Sequence, residues 1–165
     1  MSADTFLLRK PMGRALDNRI PPPIVMLATG AAMSAASFII PAIPLPAAAR
    51  FGAIGVALCV GGVFGARAFA AFARAKTTIN PVDIEAASSL VTTGVYAVSR
   101  NPMYVALTAL LVALALALSN AWLLIGPAFF VAFTTRFQIL PEERVMRAKF
   151  GEAYASYRRR VRRWL

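Results

Sequence analysis

The sequence predicts an all-α polytopic membrane protein, with about four transmembrane helices and a C-terminal amphipathic helix at the interface. Three observations carry that expectation. Hydrophobic residues make up 59% of the chain and charged residues only 15%, whereas a soluble domain runs near half apolar and about a quarter charged. The apolar residues fall into blocks close to the length a bilayer requires, about 20 residues per helix. The basic residues gather at the edges of those blocks, as in loops next to anionic lipid.

The elements follow in order within one membrane domain, residues 1–165. Residues 1–20 are a polar lead-in carrying Arg9, Lys10, Arg14 and Arg19. It resembles the start of a signal peptide, but no small-residue cleavage site precedes a soluble domain, so it reads as cytoplasmic. Pro21-Pro22-Pro23 suit the first turn of a helix, and Ile24 to Ile40 form the first uncharged run. Pro41, Pro44 and Pro46 break it. The second run extends from about Arg50 to Phe72, so two spans occupy residues 24–73. Gly61 and Gly65 on the second form a small-xxx-small pair that lets a neighbouring helix approach. Arg67 near its end either snorkels or meets a polar ligand.

Residues 74–165 hold the remaining features. A polar connection runs from Arg74 to Arg100, with turn signals at Asn80-Pro81 and Thr92-Thr93-Gly94. Two apolar runs follow, Met103 to Leu118 and Trp122 to Leu140, joined by Ser119-Asn120 and therefore an antiparallel hairpin. Gly126-Pro127 is expected to kink the second of them. Beyond Pro141 the chain turns charged, and Glu142 to Lys149 reads as a helical continuation with a break at Gly151. Tyr154, Tyr157, Val161 and Trp164 recur at helical spacing with Arg158, Arg159 and Arg162 largely elsewhere, a pattern suited to the headgroup layer and its anionic lipid. Basic loops on one side place both termini in the cytoplasm.

Charge and composition exclude several chemistries. The net charge is +11, yet the flanking distribution argues against nucleic acid as a partner. There is no histidine, and Cys59 is the only cysteine, so no imidazole base, disulfide or thiolate cluster forms and no metal site is expected. Carboxylates, arginines, tyrosines and amides must do the work.

Two polar clusters bracket the hairpin. Tyr96, Arg100, Asn101, Pro102 and Tyr104 stand at the start of the third run, and Glu142 and Glu143 at the end of the fourth. A short turn between the two helices sets their far ends side by side. Each element also has a plain structural reading. Asn101-Pro102 makes a helix cap, Tyr104 an interfacial aromatic, and Glu143 with Arg147 a surface pair. Read together, a helix N-terminus and Arg100 suit a carboxylate, while the paired glutamates suit an ammonium group, a ribose hydroxyl or an adenine amine.

Leu90 to Tyr96, with Val91 and Gly94, then Ser99-Arg100-Asn101-Pro102-Met103-Tyr104, then Glu142-Glu143, Phe150-Gly151, Tyr154, Tyr157 and Val161 to Trp164 resemble a known cofactor signature. It is that of the isoprenylcysteine carboxyl methyltransferase and phospholipid methyltransferase group. The resemblance covers about Leu90 to Leu165. It implies an integral membrane enzyme that holds S-adenosylmethionine at the cytoplasmic face and takes a lipophilic methyl acceptor from the bilayer; the Ala- and Arg-rich composition suits a bacterial inner membrane. Cofactor contacts carried over are Val91, Gly94, Tyr96, Arg100, Asn101, Pro102, Tyr104, Glu142, Glu143, Tyr154, Tyr157 and Arg163, with Arg100, Glu142 and Glu143 also catalytic. Asn101 departs from the group's histidine, Val95 from a common proline, and Arg162 from a frequent tail proline. The acceptor class stays open between a carboxylate, a thiol and a phospholipid amine. From another functional class, a small scaffold or transporter subunit is the competing reading, disfavoured because Arg67 and Arg136 are nearly the only polar breaks within the spans.

Overall fold

The computed structural model describes residues 17–43, 46–75 and 90–165. Arg9, Lys10, Arg14, Pro44 and Asn80-Pro81 lie outside the described residues. The described chain is all-helical with no strand; its one isolated bridge joins Ser99 to Arg162 in parallel. The helices are α1 (Pro22–Ala36), α2 (Ala47–Ala75), α3 (Pro102–Ala117), α4 (Ile125–Thr134) and α5 (Leu140–Arg160). Short 3₁₀ segments at Gly94–Ala97 and Ala121–Leu124 lead into α3 and α4, and a π-helical turn, Thr135–Ile139, joins α4 to α5.

Two helical stretches are long and apolar enough to cross a membrane, Ala47–Ala71 and Ala121–Arg160. The second has 40 residues, about 60 Å at the usual rise, roughly twice the hydrocarbon thickness. Its apolar part ends at Leu140, and from Glu142 onward it is charged. α1 and α3 are apolar but shorter, at 15 and 16 residues. The first helix stops at Ala36, four residues before the apolar run does. Residues 37–39 turn instead, with Ser37 Oγ donating to the Ser34 carbonyl at 2.7 Å.

α3 is the central helix, with α1, α2 and α4 packed around it. The main core joins Val25 and Met33 of α1, Leu111 and Ala115 of α3, Leu123, and Phe130 of α4, which is fully buried. The small residues of α2 are used within the chain. A Cβ on Gly65 would meet the Ala106 Cβ at 3.5 Å, and one on Gly61 the Ala106 carbonyl oxygen at 3.4 Å. The glycine pair thus brings α2 onto α3.

The hairpin turn is tied to the end of α1. Asn120 is buried; its Oδ1 accepts from the Trp122 amide at 3.1 Å, and its Nδ2 donates to the carbonyls of Ile40 and Pro41, each at 3.4 Å. Gly126-Pro127 does not kink the returning helix. The pair falls in the first turn of α4, where proline lacks no helical partner, and Gly126 leaves room for Met33 of α1. The irregularity comes a helix later, at the π turn.

The expected break at Gly151 is present: α5 kinks there at φ 49°, ψ −124°, a conformation essentially restricted to glycine. Gly151→Ala is expected to destabilise the protein by about 1–3 kcal/mol, read as a lower melting temperature in detergent. An unchanged melting temperature would mean that the kink is not needed. After it, the apolar stripe of the tail turns inward. Tyr154, Tyr157 and Val161 are buried with Met146, Phe150 and Leu90, so the stripe expected to face the headgroups covers protein instead. Arg159 stays exposed, paired with Glu152.

Candidate functional site

The two polar clusters do meet, and Glu143 is where they join. It sits in the first turn of α5, buried, and its two carboxylate oxygens take the forked guanidinium of Arg163, from Nε and Nη2, both at 2.9 Å. Arg100 Nη2 approaches the same carboxylate at 3.1 Å, with only 9% of its side chain exposed. The expected surface pair with Arg147 is therefore not what Glu143 makes; Arg147 is exposed. Burial pushes the Glu143 carboxyl up, but the Arg163 hydrogen bonds and the charges of Arg100, Arg163 and Arg158 outweigh it and hold it below the usual range.

Glu142 is set differently. Its Oε1 accepts a 2.6 Å hydrogen bond from the Tyr104 hydroxyl. Part of the residue remains accessible, yet the carboxyl is surrounded by protein. Burial raises its pKa from 4.5 to about 7, against the Tyr104 hydrogen bond and with help from the Glu143 charge. Adjacent glutamates thus differ in kind, one an anchored anion and one able to titrate near neutrality.

The last residues of the chain cross over the start of α3. The Arg100 amide donates to the Arg162 carbonyl at 3.0 Å, and Asn101 Nδ2 donates to the Arg163 carbonyl at 2.9 Å. Asn101 therefore does not cap α3 with its side chain, as expected from its position; the amide fastens the tail instead. Ser99, fully buried, takes the local role, its Oγ accepting from the Asn101 amide at 3.1 Å. Pro102 fills the first helical position, where no amide is required. Trp164 Nε1 donates to Thr135 Oγ1 at 3.2 Å, tying the tail to the π turn.

The tyrosines form the wall. The Tyr157 hydroxyl donates to the Tyr96 carbonyl at 2.7 Å, and the Tyr154 and Tyr157 rings lie 6.2 Å apart. Burial raises the phenols of Tyr96, Tyr154 and Tyr157, so all three remain protonated at neutral pH. Val91 and Gly94 are not brought into this polar cluster. Val91 packs with Tyr96 against Ala68 of α2, and Gly94, at φ 62°, opens the 3₁₀ turn that carries Tyr96. Arg67 is exposed. Ser99 and Trp164 stand in the quoted signature without a role of their own, and Thr135 and Gln138 are polar contributors that carry no motif signal.

Two further features belong to this end of the molecule. Arg100 Nε and Nη1 are buried with no hydrogen-bond partner among the described residues, next to the N-terminus of α3. Unpartnered guanidinium donors at a helix N-terminus suit a carboxylate. An open apolar groove of about 730 Å³ runs between α2 and α3, lined by Ala53, Val56, Val60, Val105, Thr108 and Val112 among others, and reaching Trp164 and Leu165 at the end of the tail. The Thr108 hydroxyl is satisfied within its own helix, donating to the Tyr104 carbonyl one turn back at 2.8 Å. Among the described residues no group of three or more Cys, Asp or Glu could hold a metal.

Residues 51–153, more than half of the chain, match the family described as phospholipid methyltransferase. An uncharacterized protein of Haemophilus influenzae is 40% identical over 63 residues, which is 38% of this chain and the whole of that protein. No solved structure matches the chain.

Proposed function

The chain belongs to the phospholipid methyltransferase family, and on that premise we propose that it is an integral membrane enzyme that uses S-adenosylmethionine to methylate a lipophilic acceptor. The observation that carries this reading is the pair of buried, unpartnered Arg100 nitrogens next to the N-terminus of α3. Arg100 touches Glu143, and the next residue back in the chain is the Tyr104-bound Glu142; a cationic donor pair and an acidic acceptor are the groups that a zwitterionic amino-acid moiety requires. The donor set therefore fits the cofactor. Bound there, S-adenosylmethionine supplies an electrophilic methyl group on a sulfonium.

The chain's own residues do the rest. Arg100 receives the carboxylate, held in place by Glu143, which Arg163 anchors from the tail. Glu142 receives the ammonium group or a ribose hydroxyl, and it takes the proton when the acceptor is an amine. A carboxylate or thiolate acceptor arrives as its own nucleophile and requires no base. Tyr96, Tyr154 and Tyr157 exclude water, which favours a transfer in which charge is neutralised. The apolar groove between α2 and α3 takes the hydrocarbon of the acceptor, and positioning supplies most of the rate. In this reading α1 and α3 cross along with the two longer helices, giving about four crossings. Both termini and the site face the cytoplasm of a bacterial inner membrane, with exposed arginines of the tail, such as Arg159 and Arg162, against anionic lipid.

Calorimetry on the detergent-purified protein tests this. S-adenosylhomocysteine is expected to bind with micromolar affinity, and Arg100→Gln to weaken it at least about tenfold, since a hydrogen bond to a charged group contributes about 1.5–3 kcal/mol. No binding by folded wild-type protein would overturn the assignment and return the scaffold reading.

A further inference from the structure

We propose that Asp17 is a positioning residue: with its neighbours in the lead-in it locks the π turn before α5, and so sets the direction in which Glu142 and Glu143 face. The inference rests on the methyltransferase reading for its functional consequence, but its structural content stands apart from it.

A π turn inserts one extra residue into a helix, and such turns persist where the surroundings hold them. Here, Leu140 N–H reaches back five residues to the Thr135 carbonyl. The turn is held from outside by residues that precede α1. The Asn18 amide donates to the Phe137 carbonyl at 2.9 Å, and Gln138 Nε2, on a buried side chain, donates to the Ile20 carbonyl at 2.7 Å. Asn18 adopts φ 54° to do so, an unfavourable region that asparagine tolerates. Asp17 completes the lock. Its side chain, 7% exposed, pairs with Arg144 at 2.5 Å and lies 3.7 Å from Arg136. One arginine, Arg136, lies within the π turn and the other, Arg144, follows Glu143 at the start of α5. Asp17 therefore ties the irregular segment and the start of α5 to a third point.

Phase is the reason this matters. Each helical residue adds about 100° of rotation. Losing the extra residue turns α5 by that amount relative to α4 and carries Glu143 away from Arg100 and Arg163. Among the described residues, nothing in α4 or α5 alone supplies the Asp17, Asn18 and Ile20 contacts, so the lead-in belongs to the machinery that aims the site.

The test uses the full chain in a Cys59→Ser background, with spin labels at two exposed sites, Ala117→Cys on α3 and Arg147→Cys on α5, and distances read by pulsed electron resonance. Rotating α5 by one residue displaces the second label by about 8 Å. Asp17→Asn is expected to shift or split the distance distribution and to weaken S-adenosylhomocysteine binding at least about tenfold, while Asp17→Glu restores both. Gln138→Met, which breaks the lock from the other side, is expected to act in the same direction and serves if Asp17→Asn does not fold. An unchanged distance distribution in folded Asp17→Asn and Gln138→Met proteins overturns the lock. A shifted distribution with unchanged binding overturns the positioning role. Failure of wild-type protein to bind S-adenosylhomocysteine would sink the methyltransferase reading, and with it the positioning role, while the distances still decide the lock.

Discussion

Glu143→Ala is expected to be the most damaging single substitution in the chain, costing about 3–5 kcal/mol of stability together with the loss of cofactor binding. The carboxylate is where three elements converge. It takes both bonds of the Arg163 fork at 2.9 Å and the Arg100 contact at 3.1 Å, with 8% of its side chain exposed. The two arginines respond differently to its removal. Arg163 is about a third exposed and can turn to water. Arg100 is 9% exposed and already has two unpartnered nitrogens, so it is left as an uncompensated buried charge. That asymmetry makes one-sided removal worse than removal of the pair. Thermal unfolding in detergent should therefore show a large fall for Glu143→Ala, partly recovered in Glu143→Met combined with Arg100→Met. Neither protein should bind S-adenosylhomocysteine. A melting temperature equal to wild type in Glu143→Ala would show that the three-residue cluster is not formed.

The second large effect is a pH dependence in which stability and binding move in opposite directions. The Glu142 carboxyl is raised from 4.5 to about 7 in the folded protein, mainly by burial. A raised folded pKa means that its contribution to stability is complete below the unfolded value and is lost as pH rises through the folded one. The protein is therefore expected to lose stability from pH 4.5 to about 7 on account of this group. Binding of an ammonium-bearing ligand needs the anionic form, so affinity for S-adenosylhomocysteine should rise through the same region. Glu142→Gln separates the two. It should raise the melting temperature at pH 8 relative to wild type while weakening binding and flattening its pH profile. A profile that keeps its step near pH 7 in Glu142→Gln would assign the titration to another group.

Most of the site was legible because its residues sit in continuous stretches at the ends of one helical hairpin. Asn120 and the short turn it caps guarantee that the start of α3 and the end of the returning helix lie together, so Tyr104 and Glu142 could be expected to meet. The partner of Glu143 was not legible. A spacing of four to Arg147 has a local meaning on any helix, whereas Arg163 lies 20 residues on, past the Gly151 kink. Asn101 does stand at the N-cap position before Pro102, but the bond its side chain makes was not legible, for the same reason. An asparagine before a proline caps many helices, and only the return of the tail gives its amide a carbonyl to bind.

By itself, the sequence determined the helical class, the hairpin, the break at Gly151 and the identity of the polar cluster. These follow from apolar run length, turn residues and the backbone freedom of glycine, which are local properties. The tertiary structure decided which acid is anchored and which can titrate, that the tail's aromatic stripe covers protein, and that residues 17–20 reach the turn before α5. Those outcomes depend on burial and on contacts between distant segments. Two adjacent glutamates with the same intrinsic chemistry become different groups only when one meets two guanidinium ions and the other is buried.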